Sequence, residues 1–238
     1  MTSGAVAGKS SRVGEASLFG GGEVHVGQDV GGREFRVAGD AVERYRAGTA
    51  SDVDAGGLAP ALVFHSECYR DLSWYLPNLI GNLHARQEWE LFHPLRVGET
   101  VRSRTTVVER YRKRDRNYVV AEVLLTDADG RWLQRSRTHQ SFLADTPADD
   151  LVVVQGMMSV CFVADLMTAA YGPGFLAGGK LDVRLVNVVW PGDAITARGK
   201  VREVAAEGSR RRAHVDVWCA KGDGTVTVVG TASALRHG

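Results

Sequence analysis

The chain has 238 residues, 44% of them hydrophobic, which is ample for a buried core and leaves room for one large domain or two small ones. Its 29 basic and 28 acidic residues leave a net charge of +1, so no global field points to nucleic acid or to an anionic membrane surface. Cys68, Cys161 and Cys219 are odd in number and far apart, with no CxxC or His/Cys metal spacing, which argues against a disulfide framework or a metal centre and fits a reducing cytoplasm.

In chain order, residues 1–22 are small and polar, lack the apolar core of a signal peptide, and read as a flexible tail. No later run approaches the roughly 18 apolar residues of a membrane span. A short Gly-rich loop, TASDVDAGG, carries Asp52 and Asp54, and residues 59–77 (APALVFHSECYRDLSWYLP) read as a helix. After it, LHARQEWELFHPL reads as a strand, and TVRSRTTVVERY and NYVVAEVLLTD alternate in polarity as strands of an antiparallel sheet. The sequence then repeats itself. Gly98 and Gly130 stand 32 residues apart, as do Gly192 and Gly224, and a shift of 94 superposes both turns without a gap. That shift pairs Glu99 with Asp193, Val101 with Ile195, Val107 with Val201, Glu109 with Glu203 and Val123 with Val217.

The shift also lays residues 59–77, within a residue or two, on a second helical stretch from Gly156 to Tyr171. Met157, Val160, Cys161, Ala164, Leu166 and Met167 cover most of that helix's circumference, so it should be wrapped by other elements. Each half is then one helix followed by strands. The expected fold is α+β: two curved antiparallel sheets, each wrapped around a central helix, with units at 23–146 and 147–238.

On the residues VGQDVGGREFRVAGDAVERYRAGTASD, LAPALVF, LHARQEWELFHPLRVGETV and VQGMM…VWPGDAITARGKV, the chain resembles the double hotdog proteins of the MaoC-like family over about residues 24 to 236. That family contains (R)-specific enoyl-thioester hydratases and 3-hydroxyacyl-thioester dehydratases. The resemblance implies a thioester substrate on coenzyme A or acyl carrier protein, held in a tunnel between paired hotdogs. It also implies an Asp with a His five residues later, activating a water. Here Asp52 stands where the Asp would, but Gly57 stands where the His would; the second half reads ADTPADDLVV, and the usual His-Gly pair at the helix start reads Gln155-Gly156.

The candidates for the missing chemistry are therefore non-standard. Asp52, His65 and Gln155 are the candidate catalytic residues, and Gly156, Met157, Asp54 and Glu67 the candidate substrate-binding residues. Free N–H groups at the Gly156 helix start favour a carbonyl oxygen that gains charge. Gln155 can hydrogen-bond but cannot titrate near neutral pH, so it can orient a thioester or a water without being a general base; it reads equally as a residue that satisfies local backbone groups. His65 and Glu67 interrupt an apolar stretch, yet two residues apart on a helix they point roughly 200° apart, so at most one faces a given site. Asp52 and Asp54 also read as ordinary turn formers. His84 and His93 read as strand residues, and the resemblance places them in the family's N-terminal half, which more often shapes the acyl tunnel than performs chemistry; Cys161 reads as a buried core thiol.

Two Arg-rich hairpins, RYRKRDRN and EGSRRRAH, occupy corresponding positions, with Arg116 and Arg210 separated by the same 94 residues. Such tips suit the phosphates of coenzyme A or an acidic carrier protein, and equally a solvated surface. No phosphate loop, dinucleotide fingerprint or metal cluster is present, so no cofactor or metal is implied. Three functions stay open: a hydratase or dehydratase; a thioesterase using Glu67 or Asp165; and a non-catalytic hotdog subunit that supports an active partner. A homodimer, or a complex with a second hotdog chain, is compatible with each.

Overall fold

The turns that lie 94 residues apart in sequence close in the same way in space. The Gly130 N–H donates to the Asp127 carbonyl at 3.1 Å, and the Gly224 N–H to the Lys221 carbonyl at 3.0 Å. Their φ angles are +83° and +88°, in the left-handed region that glycine enters without steric cost. These turns belong to a computed structural model that describes residues 24–53, 56–70, 83–114, 116–142 and 154–236. The expected tail at 1–22 lies outside the described residues.

Along the chain run β1 (Asp29–Arg36), α1 (Gly39–Thr49), α2 (Glu67–Arg70), β2 (Leu83–Leu91), β3 (Thr100–Lys113), β4 (Arg116–Asp127) and β5 (Trp132–Phe142). There follow α3 (Gly156–Tyr171), α4 (Pro173–Leu176), β6 (Lys180–Leu185), β7 (Ile195–Glu207), β8 (Arg210–Lys221) and β9 (Val226–Arg236). The bounds of β4 and β8 differ by the repeat shift, as do those of β5 and β9. So do the bulges, which fall between Val107 and Glu109 in β3 and between Val201 and Glu203 in β7. An extra residue at each bulge strengthens the local twist and bends the strand pair.

Inward-facing side chains follow the same register. Val119, Ala121, Val123 and Leu125 of β4 are buried, as are Ala213, Val215, Val217 and Cys219 of β8, each at the period of two that a half-buried strand requires. The strands form one sheet in the order β1-β3-β4-β5-β2-β6-β9-β8-β7. This corrects the expected pair of separate sheets: β2 and β6 join edge to edge in antiparallel register and leave neither edge open there. At the joint Arg86 donates to Asp182 and lies beside Glu88, so the charges that meet there are paired.

The second expected helix is present with its expected bounds. α3 buries Met157, Val160, Cys161, Val163, Ala164 and Met167, and it packs against β7, β8 and β9 as well as β2, β6 and α1. The first expected helix differs. Between Pro60 and Tyr69 the backbone closes through successive i→i+3 bonds, from Val63 to Pro60, His65 to Leu62 and Glu67 to Phe64, and only Glu67–Arg70 is α-helical. Val63, Phe64, His65 and Ser66 are weak helix formers, and His65 Nδ1 adds a bond to the Leu62 carbonyl at 3.0 Å that favours the tighter turn. Residues 71–77 of that expected helix lie outside the described residues. Among the described residues no helix is long and apolar enough to cross a membrane.

Candidate functional site

α3 begins at Gly156 with Gln155 as its N-cap, and Gln155 makes no side-chain capping bond. No acidic side chain occupies the first turn, so nothing on the helix itself neutralises its N-terminal N–H groups. Gln155 and Gly156 instead line a cavity of about 590 Å³ whose walls come from both halves of the chain. Tyr69, His84 and Arg116 contribute from the first half and Leu185 from the second. The helix start lies close to both walls: a Cβ on Gly156 would stand 2.1 Å from Leu185 Cδ2, so that this side chain would have to move, and 3.3 Å from His84 Nδ1.

Hydrogen bonds determine the state of His84. Gln87 Nε2 donates to the Glu88 carbonyl at 3.1 Å and to Ser136 Oγ at 2.7 Å, so the amide oxygen must face the other way. That oxygen accepts from Thr138 Oγ1 at 3.0 Å and lies 3.1 Å from His84 Nε2. An oxygen there can only accept, so Nε2 carries the ring proton and Nδ1 keeps its lone pair. The Tyr69 hydroxyl then donates to Nδ1 at 3.0 Å, with the two rings nearly perpendicular. Burial pushes the His84 pKa down to about 4 against the opposing bonds to Gln87 and to the Arg86 backbone, which keeps the ring neutral at physiological pH. On the cavity wall Arg116 Nε donates to Ser141 Oγ at 3.0 Å, and burial lowers this guanidinium's pKa.

The other expected site residues are distributed away from this cavity. Met157 follows Gly156 but points into the core, fully buried, and does not line the cavity. Asp52 is exposed just beyond α1. Asp54 lies outside the described residues. Glu67 is buried and its carboxylate accepts from Arg33 and from Ser103 Oγ at 3.2 Å. His65 lies with its ring 6.0 Å from Tyr45, whose hydroxyl donates to Asp165 of α3 at 3.0 Å. Burial raises the Asp165 pKa, opposed by Tyr45, Thr49 and Ser51, and the neighbouring Cys161 thiol is pushed up to about 12 by its own burial.

The structure thus unites Gln155 and Gly156 with His84 and Tyr69, and sets His65 beside Tyr45 instead. The strand that carries His84 is visible in sequence, but its place on the cavity wall is not. Tyr69 carries no sequence signal, because its hydrogen-bond partner lies 15 positions along the chain.

No protein-family model matches the chain, and no curated protein matches it in sequence. Solved structures match it in shape. One MaoC-like dehydratase superposes with a TM-score of 0.66 at 13% identity, over 90% of this chain and 98% of its own. The MaoC-like dehydratase of Phytophthora capsici gives 0.65 at 15% identity, over 89% of this chain and 97% of its own. The chain has the MaoC-like hotdog fold. An acyl-ACP thioesterase from Bacteroides thetaiotaomicron is also similar, with a TM-score of 0.55 at 11% identity over 87% and 97% of the two chains. In this MaoC-like hotdog chain, the start of α3 and the β2 wall that faces it form the cavity described above.

Proposed function

We propose that the chain is a double hotdog, with units at 23–146 and 147–238, that binds an acyl thioester of coenzyme A or acyl carrier protein and adds or removes water across its α–β bond. The observation that carries this reading is the cavity at the uncapped N-terminus of α3, walled by both halves. A thioester carbonyl placed there meets oriented N–H groups that stabilise the enolate as its oxygen gains charge. Gln155 orients the carbonyl or the water, and Gly156 admits the thioester close to the helix. The dehydratases among the similar structures support the same reaction class.

The test is incubation with crotonyl-CoA and with 3-hydroxybutyryl-CoA, following loss or gain of the conjugated enoyl absorbance and the gain or loss of one water by mass. Turnover in both directions is expected; none on either substrate overturns the activity. The same assay tests Asp52 and His65 as acid–base residues: turnover that survives both Asp52→Asn and His65→Ala removes that assignment.

One observation favours a second reading, a thioesterase. Asp165 is a helix-borne carboxylate with a raised pKa, and one similar structure is an acyl-ACP thioesterase. Free thiol release, read with a thiol reagent, separates hydrolysis from hydration. Binding of a thioester without either product would instead support a non-catalytic subunit.

A further inference from the structure

The wall opposite the first turn of α3 holds a base with a defined lone pair and a hydroxyl already aligned on it. We propose that Tyr69 and His84 form the proton-transfer pair of this site, with the Tyr69 hydroxyl meeting the substrate and His84 Nδ1 receiving the hydroxyl proton. This rests on the thioester reading above and supplies the acid–base group that Gln155 cannot.

The geometry carries the assignment in three ways. Gln87 presents only an oxygen to Nε2, which leaves Nδ1 as the acceptor. Tyr69 lies 3.0 Å from that acceptor. His84 Nδ1 is close enough to the Gly156 backbone that an added Cβ would stand 3.3 Å from it, so the pair and the helix N-terminus share one space. Both residues line the cavity, along with Arg116, and His139 is the other titratable group acting on His84.

In hydration, the water oxygen bonds to the β carbon while a water proton passes to the Tyr69 oxygen and the Tyr69 proton passes to His84 Nδ1. The C=C electron pair moves to form the enolate, whose oxygen takes the negative charge at the α3 N–H groups. The imidazolium and the enolate arise together as opposite charges in one water-poor site, which lowers the cost of each. Collapse of the enolate takes a proton at the α carbon from Tyr69, which recovers one from His84. The product holds the water's hydroxyl on the β carbon and a proton on the α carbon, and both residues return to their starting state. Dehydration is the reverse.

Two variants separate chemistry from binding. Tyr69→Phe removes only the hydroxyl, and His84→Gln offers an N–H towards Gln87 while removing the basic Nδ1. Three quantities are measured on the full chain: kcat with crotonyl-CoA, Kd for the unreactive butyryl-CoA, and deuterium uptake at the α carbon of butyryl-CoA in D2O. Each variant is expected to lose about 100-fold or more in kcat and the deuterium uptake, with Kd changed less than about threefold. The double variant is expected to be little worse than either single one, because the two act as a unit. Natural-chain turnover that both variants retain within tenfold removes the pair and leaves the thioester function standing. No turnover and no deuterium uptake by the natural chain removes both. Should His84→Gln fail to fold, Tyr69→Phe decides the matter, since retained kcat in that variant alone breaks the relay.

Discussion

Glu88 of β2 stands directly opposite Asp182 of β6 at the joint between the halves, and the two positions are related by the 94-residue repeat. Applied to this joint, the repeat turns the pair Arg86–Arg184 into Glu90–Lys180 and the pair Gln87–Val183 into Trp89–Leu181. The β2–β6 register is therefore symmetric about the Glu88–Asp182 pair under the 94-residue shift. Two carboxylates facing each other across strands repel. Arg86 answers this by donating to Asp182 through Nε at 2.7 Å and a terminal nitrogen at 2.6 Å, with Glu88 3.0 Å away. Burial pushes the Asp182 carboxyl up, but the Arg86 guanidinium outweighs it and holds the pKa below the ordinary value.

Replacing Arg86 with Met should therefore destabilise the chain by about 2 kcal/mol at pH 7, since charge-assisted pairing is lost and two partly exposed carboxylates are left facing each other. The loss should shrink near pH 3, as the Asp182 carboxyl begins to take up a proton. Urea unfolding of both proteins at the two pH values measures it; an equal loss at both would show that Arg86 acts through packing alone.

Burial of His84 links folding to pH. Below its ordinary value of 6.5 the unfolded chain takes up a proton that the folded ring refuses until about pH 4. Stability is thus fully present above pH 6.5 and lost as pH falls towards 4, by about 2–3 kcal/mol for this group. His65 and His139 are shifted downward too, chiefly by burial, and act in the same direction. His84→Gln should flatten the slope of unfolding free energy between pH 7 and 4.

Glu67 is buried while its partner Arg33 reaches solvent, so the two ends of this pair are unequal. Arg33→Met should cost about 2 kcal/mol or more by leaving a buried carboxylate with less compensation, and Glu67→Gln should cost less, because its amide oxygen still accepts from Ser103. A double-mutant cycle in urea should be clearly non-additive. Additive losses would mean that the ion pair contributes nothing of its own.

Asp165 should behave in the opposite sense to His84. Its raised pKa means that the ionised form is penalised by folding, so its contribution is most favourable at low pH and is lost as pH rises through the folded value. Asp165→Asn, which keeps an acceptor for the Tyr45 hydroxyl, should raise the unfolding free energy at pH 7 and leave it nearly unchanged at pH 3. A destabilised variant at pH 7 would show that the charge itself is needed there.

The repeat is legible in the amino-acid sequence because each of its signals is local. Gly130 and Gly224 mark turns that need a positive φ, the strands of β4 and β8 alternate at a period of two, and the apolar circumference of α3 spans consecutive turns of one helix. The helix start at Gln155-Gly156 is legible for the same reason. The segment before α2 is not, because its apolar run suits either a helix or tight turns, and the choice falls to the Pro60–Tyr69 turn bonds and to packing against the sheet.

From its residues alone, then, the chain specifies an α+β architecture built on a repeated helix-and-hairpin unit, and marks the lack of a histidine before Gly156. Tertiary structure alone decides that β2 and β6 merge the halves into one sheet, that Tyr69 and His84 meet Gly156 in one cavity, and that His65 turns instead to Tyr45. The physical reason is range. Turn and strand preferences act between near neighbours, whereas a proton's position on His84 depends on Gln87, Thr138 and Tyr69, which only the folded sheet brings to the same ring.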